Sequence, residues 1–170
     1  MKPFSNILEI VNNFHELGET ILAAEFLVSE YGLENPNLKG FELREAAKPE
    51  FVLFTTEGNF GEQQIIKIPE NAFEFSLELM LTLLAHEMVH VGQKAAGSII
   101  TDKNEREWQA YYEMLFHKIY TNIPEVPNFQ KKFFSNKALE YYTRMGENSE
   151  LQIKYADQKQ DIEKLLASIS

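Results

Sequence analysis

The sequence predicts an α+β protein with a small sheet in its first half and helices in its second half. Apolar side chains recur at helical spacing near the start of the chain and again after Asn71, and three short β-leaning runs lie between these regions. The 170 residues, 44% of them hydrophobic, suffice for one domain with a sizeable core. We expect a single domain over 1–170, with the sheet and one buried helix in 1–98 and further helices in 99–170.

The first 31 residues carry apolar side chains close to helical spacing with a break near Gly18, which predicts one or two helices. The following β-leaning runs predict a small mixed or antiparallel sheet of hairpin type, with the turn signal Gly58-Asn59-Phe60-Gly61 before its last strand. The three predicted strands are Phe41–Arg44, Phe51–Thr56 and Gln63–Ile68.

The next predicted element is a helix from Asn71 to about Ala96. Asn71 with Glu74 three residues later is typical of a capping box, and Gly97 is a suitable terminator. Apolar residues surround this helix on nearly all sides, a pattern typical of buried helices.

Further helices are predicted in the second half of the chain. Asp102 and Glu105 repeat the capping pattern and predict a helix through Tyr120. Two more helices are predicted, roughly over Asn128–Arg144 and Glu147–Ala167, and the second has an apolar stripe at helical spacing.

Composition limits the expected partners. The net charge of −10 at pH 7 repels phosphate backbones and anionic lipids, so we expect neither nucleic acid nor a membrane surface as a partner. The longest apolar stretch, Leu77 to Val91, is too short and too polar for a membrane span, and no signal-peptide pattern is visible. The absence of cysteine excludes disulfides and thiolate metal ligands, and we expect a cytoplasmic location.

The predicted buried helix contains the run His86-Glu87-Met88-Val89-His90. Residues four apart on a helix project from one face, so His86 and His90 can hold one metal ion through both imidazoles. Glu87 points in a neighbouring direction, from which it can reach a water beside the ion and act as a general base. Random order gives this pattern in roughly 1% of such chains. The alternative interpretation is a pair of hydrogen-bonded core histidines beside a surface glutamate.

A zinc site of this kind needs a third protein ligand and one open position. The candidates are three acids of the following helix: Glu105, Glu107 and Glu113. We favour Glu107, because Glu105 suits the capping position after Asp102, whereas the small residue Ala110 allows close helix approach beside Glu107. Glu105 and Glu113 are otherwise expected to be ordinary solvated acids. The two remaining histidines are expected to be structural: His15 and His117.

These residues resemble the zincin metallopeptidases, and within them the gluzincins, whose HExxH helix is followed by a glutamate-bearing helix of the form ExxA or ExxxD. The match covers roughly Phe51 to Leu115 through the motif and Glu107-Trp108-Gln109-Ala110. The run His-Glu-Met-Val-His-Val-Gly-Gln is also similar to short bacterial and phage-type metallopeptidase domains. Zincins place a substrate-binding edge strand before the motif helix, where Gln63–Pro69 stands here. Tyr111 stands where a thermolysin-like site has an acid that orients a histidine.

The resemblance implies a zincin-like fold and hydrolysis of a peptide or protein substrate. It implies that His86, His90 and Glu107 hold Zn²⁺, while Glu87 takes a proton from the activated water and passes it to the leaving amine. It also implies a group that stabilises the oxyanion. Candidates for this group lie on a later helix: Tyr141, Tyr142 and Arg144.

Two rival functions stay open. Glu87 and His90 form a Glu-x-x-His pair of the kind found in di-iron or di-manganese helical bundles, which need two such pairs. His117, the other downstream histidine, has Met114 three residues before it, so the second pair is missing. The other rival is a binding module that keeps the fold but cuts nothing.

Overall fold

The computed structural model describes residues 1–169 as an α+β fold of seven α-helices and one small sheet, which confirms the predicted class. Helices α1 (Phe4–Glu16) and α2 (Thr20–Glu30) open the chain. They separate at the predicted break, because Gly18 has a φ of 73°, in the left-handed region that favours glycine. Within the described range, no helix combines the length and the apolar character needed to cross a membrane.

The sheet is mixed and has three strands: β1 (Leu38–Arg44), β2 (Thr55–Glu57) and β3 (Gln64–Pro69). Strand β3 is central, pairing parallel with β1 and antiparallel with β2. The predicted strand Phe51–Thr56 is regular only at its end. The expectation that Gln63–Pro69 forms the substrate-binding edge is wrong, because this run supplies the central strand. Its side chains Ile66 and Ile68 are fully buried, and a central position removes this apolar run from water. The edge strand is β2.

Helix α3 (Leu77–Gln93) carries the motif, and 13 of its 17 residues are buried, as its apolar pattern predicts. The predicted start at Asn71 is wrong, because a 3₁₀ turn at Ala72–Glu74 comes first and Ser76 caps the helix instead. The Asn71 amide is engaged elsewhere: its oxygen accepts from the backbone nitrogen of Ala47 at 2.7 Å, and its nitrogen donates to the Ala47 carbonyl at 3.0 Å.

Helix α4 (Lys103–Phe116) starts where the sequence predicts, since Asp102 Oδ1 accepts from the backbone nitrogen of Glu105 at 2.9 Å. The helix ends four residues before the predicted Tyr120, because His117 adopts a left-handed conformation with a φ of 44°.

The side chain of Glu113 stabilises the turn after α4. Its carboxylate accepts backbone N–H bonds from Lys118, Ile119 and Tyr120 at 2.8–3.0 Å. The expectation that Glu113 is a solvated acid is therefore wrong: its side chain is buried and closes the end of its own helix.

The remaining helices are α5 (Asn128–Arg144), α6 (Glu150–Lys154) and α7 (Ala156–Ile169). Helix α5 has the predicted bounds. The single helix predicted over Glu147–Ala167 is divided at Tyr155, a buried residue whose ring lies 6.2 Å from that of Trp108 on α4.

Two hydrophobic clusters form the interior of the described residues. The amino-terminal cluster joins α1, α2, the sheet and α3, and the carboxy-terminal cluster joins helices α4 to α7. Leu79 and Leu83 on α3 contact both clusters. Ile123, beyond the α4 turn, belongs to the amino-terminal cluster, so the chain returns there before α5 begins. The motif residues lie where α3 and α4 meet.

Candidate metal centre

Three side chains from α3 and α4 converge on one point. The Nε2 atoms of His86 and His90 lie 3.1 Å apart, and Glu107 Oε2 lies 3.5 Å from the first and 3.7 Å from the second. The histidine side chains are 9% and 10% exposed and that of Glu107 is 21% exposed, so the cluster is largely shielded while one side stays accessible. These three residues are the only group of three or more metal-ligating side chains found among residues 1–169.

The separations fit a tetrahedral zinc ion. Ligand atoms about 2.0–2.1 Å from zinc at tetrahedral angles lie roughly 3.3 Å from one another. The distances of 3.1, 3.5 and 3.7 Å scatter around that value. Two imidazoles and one carboxylate are also a donor set that leaves a fourth position open, which is typical of catalytic zinc. The residues therefore fit a zinc ion in both the spacing and the type of their donor atoms.

Of the three candidate acids, the structure brings only Glu107 to the histidines. Glu105 instead accepts from Lys154 Nζ at 2.7 Å and from the Tyr155 hydroxyl at 2.6 Å, so it is not the solvated acid that we expected. Glu113 points to the turn beyond α4. Ala110 is fully buried, as close approach of α4 requires.

A hydrogen-bond relay orients His90. Its Nδ1 lies 2.8 Å from Gln93 Oε1, Gln93 Nε2 lies 3.0 Å from Gln109 Oε1, and Gln109 Nε2 lies 2.6 Å from the Tyr155 hydroxyl. The Tyr155 hydroxyl ends the relay at the Glu105 carboxylate, 2.6 Å away.

The chemistry of the last group fixes the direction of every bond in the relay. The Tyr155 hydroxyl donates to the Glu105 carboxylate and accepts from Gln109 Nε2. Gln109 Oε1 then accepts from Gln93 Nε2, which leaves Gln93 Oε1 as the acceptor that faces His90. His90 Nδ1 therefore carries the proton in the neutral imidazole, and its Nε2 keeps the lone pair that a metal ligand needs.

His86 has a different kind of support. Its Nδ1 lies 3.0 Å from the thioether sulfur of Met114, a weak acceptor, and its ring packs edge-on against Tyr111 with 4.9 Å between ring centroids. A proton on Nδ1 again leaves Nε2 directed at the shared point. Tyr111 thus restrains a histidine by packing, in the place where the resemblance expects an acid.

Glu87 lies beside the cluster but does not join it. The Thr56 hydroxyl on β2 donates to Glu87 Oε2 at 2.7 Å, which fixes the carboxylate against the sheet. The edge strand thereby positions this side chain. The second carboxylate oxygen of Glu87 is not engaged by this bond.

The charges of the cluster favour the metal-binding form of Glu107 but the protonated form of His90. Burial acts to raise the pKa of Glu107, but the two facing imidazoles outweigh it and hold this pKa well below its usual range. Burial acts to lower the pKa of His90, but the Glu107 and Glu87 carboxylates outweigh it and raise this pKa above its ordinary value. Glu107 is therefore ionised at neutral pH.

An open cleft of about 340 Å³ leads to the cluster. Its walls come from β2 and the residues before it, from α3, from α4 and from Tyr141 on α5. The lining residues are Leu53, Phe54, Thr55, Thr56, His86, Glu87, His90, Lys94, Arg106, Glu107, Tyr111 and Tyr141.

Of the three residues expected as oxyanion stabilisers, only Tyr141 lines the cleft. The Tyr142 hydroxyl donates to the carbonyl of Gln152 at 2.7 Å inside the carboxy-terminal cluster. The Arg144 guanidinium lies over the ring of Tyr141 at 4.9 Å and forms an ion pair with Glu140. Tyr142 and Arg144 are therefore wrong as cleft residues.

Several residues of the site were not predicted from the sequence. Gln93 has a visible signal, because it lies one helical turn after His90 on the same face. Thr56, Gln109 and Tyr155 carry no local signal, since their roles arise only when distant elements pack together.

Comparison with known proteins identifies no relative of this chain. No protein-family description, curated protein or solved structure matches the chain. The functional interpretation therefore depends on the geometry of the site.

Proposed function

We propose that this chain is a zinc-dependent metallopeptidase with a zincin-like fold. The observation that carries the proposal is the convergence of His86 Nε2, His90 Nε2 and Glu107 Oε2 within tetrahedral distances at the end of an open cleft. A zinc ion held there supplies Lewis-acid polarisation of a carbonyl group and acidifies a water molecule.

Glu87 is the proposed general base. Its place beside the cluster, rather than in it, suits proton transfer better than ligation. The bond from Thr56 holds one carboxylate oxygen, so the other can take a proton from water and pass it to the leaving amine nitrogen. Hydrolysis of an amide needs both transfers, and one carboxylate in this position serves both.

Tyr111 is our candidate for the oxyanion donor, in preference to Tyr141. Its ring contacts His86 directly, while the ring of Tyr141 stacks on that of Tyr111 with 5.8 Å between centroids. The Tyr111 hydroxyl forms no hydrogen bond with any group among residues 1–169. Burial raises the pKa of Tyr111, so its hydroxyl keeps the proton that an oxyanion donor must share.

The position of β2 favours an extended peptide as the substrate. This short strand is the antiparallel edge of the sheet, and Leu53 to Thr56 line the cleft beside α3. An extended peptide can add to such an edge through backbone hydrogen bonds and cross the metal site. An edge strand next to the motif helix is also the arrangement that the zincin resemblance implies.

Metal analysis and the substitution Glu87→Gln test the proposal together. We expect wild-type protein to bind one zinc ion and to cleave members of a broad peptide library. Glu87→Gln keeps the Thr56 contact and should keep zinc, but kcat should fall by about 10²–10⁴-fold because the base is lost. Glu78→Gln, the same substitution on the same helix outside the cleft, is the matched control and should retain activity.

The outcomes also separate the rivals. Two irons per chain would indicate a carboxylate bundle. One zinc without cleavage of any peptide would favour a binding module. Full activity in Glu87→Gln would remove the proposed role of Glu87.

A further inference from the structure

Two positively charged side chains line the cleft beside the candidate metal ligands. Lys94 follows His90 by one helical turn at the end of α3, and Arg106 immediately precedes Glu107 on α4. The chain as a whole carries a net charge of −10, so a pair of cations here departs from the overall charge. Their positive charges also repel each other across the cleft, since Arg106 acts to lower the pKa of Lys94.

Neither cation forms an ion pair with a carboxylate among residues 1–169. Lys94 Nζ donates only to the carbonyls of Thr56 at 3.2 Å and Gly58 at 3.4 Å. One nitrogen of Arg106 donates to the carbonyls of Ile100 at 2.9 Å and Thr101 at 2.7 Å. An ammonium offers three N–H donors and a guanidinium five, so both groups keep unused donors.

Both side chains are held in place before any ligand arrives. The ring of Phe60 lies against the Arg106 guanidinium at 5.2 Å, and the loop that carries Phe60 is tied to α3 by a bond of 2.8 Å from the Gly61 nitrogen to the Lys94 carbonyl. Burial is the main cause that lowers the pKa of Lys94, followed by the charge of Arg106. An anion between the two cations would relieve their repulsion and use their free donors.

We propose that Lys94 and Arg106 form a subsite for a carboxylate of the substrate. This inference rests on the proposed peptidase function and names its substrate class: peptides with a carboxylate close to the cleaved bond. The Arg106 guanidinium suits a carboxylate because its planar donors can bind both oxygens, while Lys94 adds a point charge. A polyanion fits less well, because Glu87 and Glu107 share the cleft and offset the two positive charges. The carboxylate is either the carboxy-terminus of a peptide or an acidic side chain.

Binding to the zinc-loaded Glu87→Gln protein tests the subsite without cleavage. Calorimetric titrations would use four peptides: N-acetyl-tetraalanine as the free acid, its carboxy-terminal amide, and the amide with one alanine replaced by Glu or by Gln. If the subsite binds the carboxy-terminal carboxylate, we expect the free acid to bind at least about tenfold more tightly than its amide. A similar preference for Glu over Gln would identify an acidic side chain. Equal affinities in both comparisons, or no binding of any peptide, would overturn the subsite.

Charge-removing variants assign the preference to these residues. Lys94→Gln should reduce the affinity preference for the carboxylate peptide severalfold. The double variant with Arg106→Gln should abolish this preference, and both variants should keep the zinc content of the parent protein. Lys103→Gln removes an exposed charge at the start of α4 and should leave the preference intact. Arg106 also holds the loop at Ile100 and Thr101, so the double variant can fail to fold for a reason unrelated to the subsite. In that case the preference measured in Lys94→Gln alone tests the assignment. A preference that persists in Lys94→Gln would overturn the assignment.

The titrations and the cleavage assay of wild-type protein together distinguish the two proposals. If the protein prefers carboxylate peptides but cleaves no peptide, the subsite proposal stands and the peptidase proposal is wrong. If the protein cleaves peptides but shows no preference for a carboxylate, the peptidase proposal stands and the subsite proposal is wrong.

Discussion

The amino-terminal half of the molecule, from α1 to α3, and the carboxy-terminal half, from α4 to α7, contribute to the candidate metal centre in different ways. The first half places both imidazoles and Glu87 on one buried helix, where helical spacing alone sets their relative positions. The second half supplies Glu107 and most of the relay behind His90 through contacts between distant segments. Changes in the first half should therefore alter the chemistry, and changes in the second half should alter metal affinity or the packing of the halves.

Removal of the third ligand should have the largest effect on metal affinity. Glu107→Gln replaces an ionised ligand with a neutral amide, and one ligand of a four-coordinate zinc site contributes about 3–4 kcal/mol of a total of 10–16. We expect zinc affinity to fall by about 10²–10³-fold in a competition assay with a chelating dye. Glu147→Gln, an exposed residue outside the site, is the control. An unchanged Kd for zinc in Glu107→Gln would show that the second half supplies no ligand.

The next largest effect concerns stability rather than the metal. Glu113 caps the turn that returns the chain from α4 to Ile123 in the amino-terminal cluster. Glu113→Gln leaves one amide NH₂ group facing backbone N–H donors, so urea unfolding of the zinc-free protein should show a loss of about 1–3 kcal/mol. Zinc affinity should stay within about twofold of wild type, because Glu113 does not contact the relay. Unchanged unfolding would mean that the turn is held by other contacts.

The contrast between these acids shows what sequence can and cannot predict here. The positions of His86, Glu87 and His90 follow from local helical spacing, and the choice of Glu107 followed from a short loop and a small neighbour at Ala110. The roles of Glu105 and Glu113 were missed, because each side chain binds groups whose positions depend on how the chain turns after α4 or on where α6 and α7 pack.

The fold divides in the same way. The bounds of α5 were predicted to the residue. The start of α3 was misplaced because the capping pattern at Asn71 is local, and only the fold shows that the Asn71 amide bonds Ala47 while Ser76 caps the helix. The edge position of β2 was also missed, since the order of strands depends on long-range pairing that a short polar run such as Thr55–Glu57 does not encode.

Gln93 tests the part of the relay that belongs to the first half. Gln93→Leu removes the acceptor for His90 Nδ1, so the imidazole loses its fixed tautomer and orientation. Loss of such a supporting group lowers metal affinity by about 10–100-fold. Gln93→Glu keeps an oxygen toward His90 but turns its other oxygen toward the Arg106 carbonyl, so it should recover only part of the zinc affinity. Equal weakening in both variants would point to disturbed helix packing rather than to the relay.

Tyr155 tests the far end of the relay, where the second half acts on the metal ligand only through other residues. Tyr155→Phe keeps the buried ring but removes the hydroxyl that fixes the direction of the Gln109 amide. The Gln109 amide can then turn over and lose its bond to Gln93 Nε2, which keeps its bond of 3.0 Å to the Arg106 carbonyl. One such hydrogen bond contributes about 0.5–1.5 kcal/mol, and the Kd for zinc should rise by about 2- to 10-fold. The control is Tyr142→Phe, which removes a hydroxyl that lies in the same cluster but bonds the Gln152 carbonyl. This variant should lose a similar free energy of unfolding without a change in zinc affinity. If both variants weaken zinc binding equally, the Tyr155 hydroxyl acts on His90 through packing, because of these two tyrosines only Tyr155 is linked to the imidazole by hydrogen bonds.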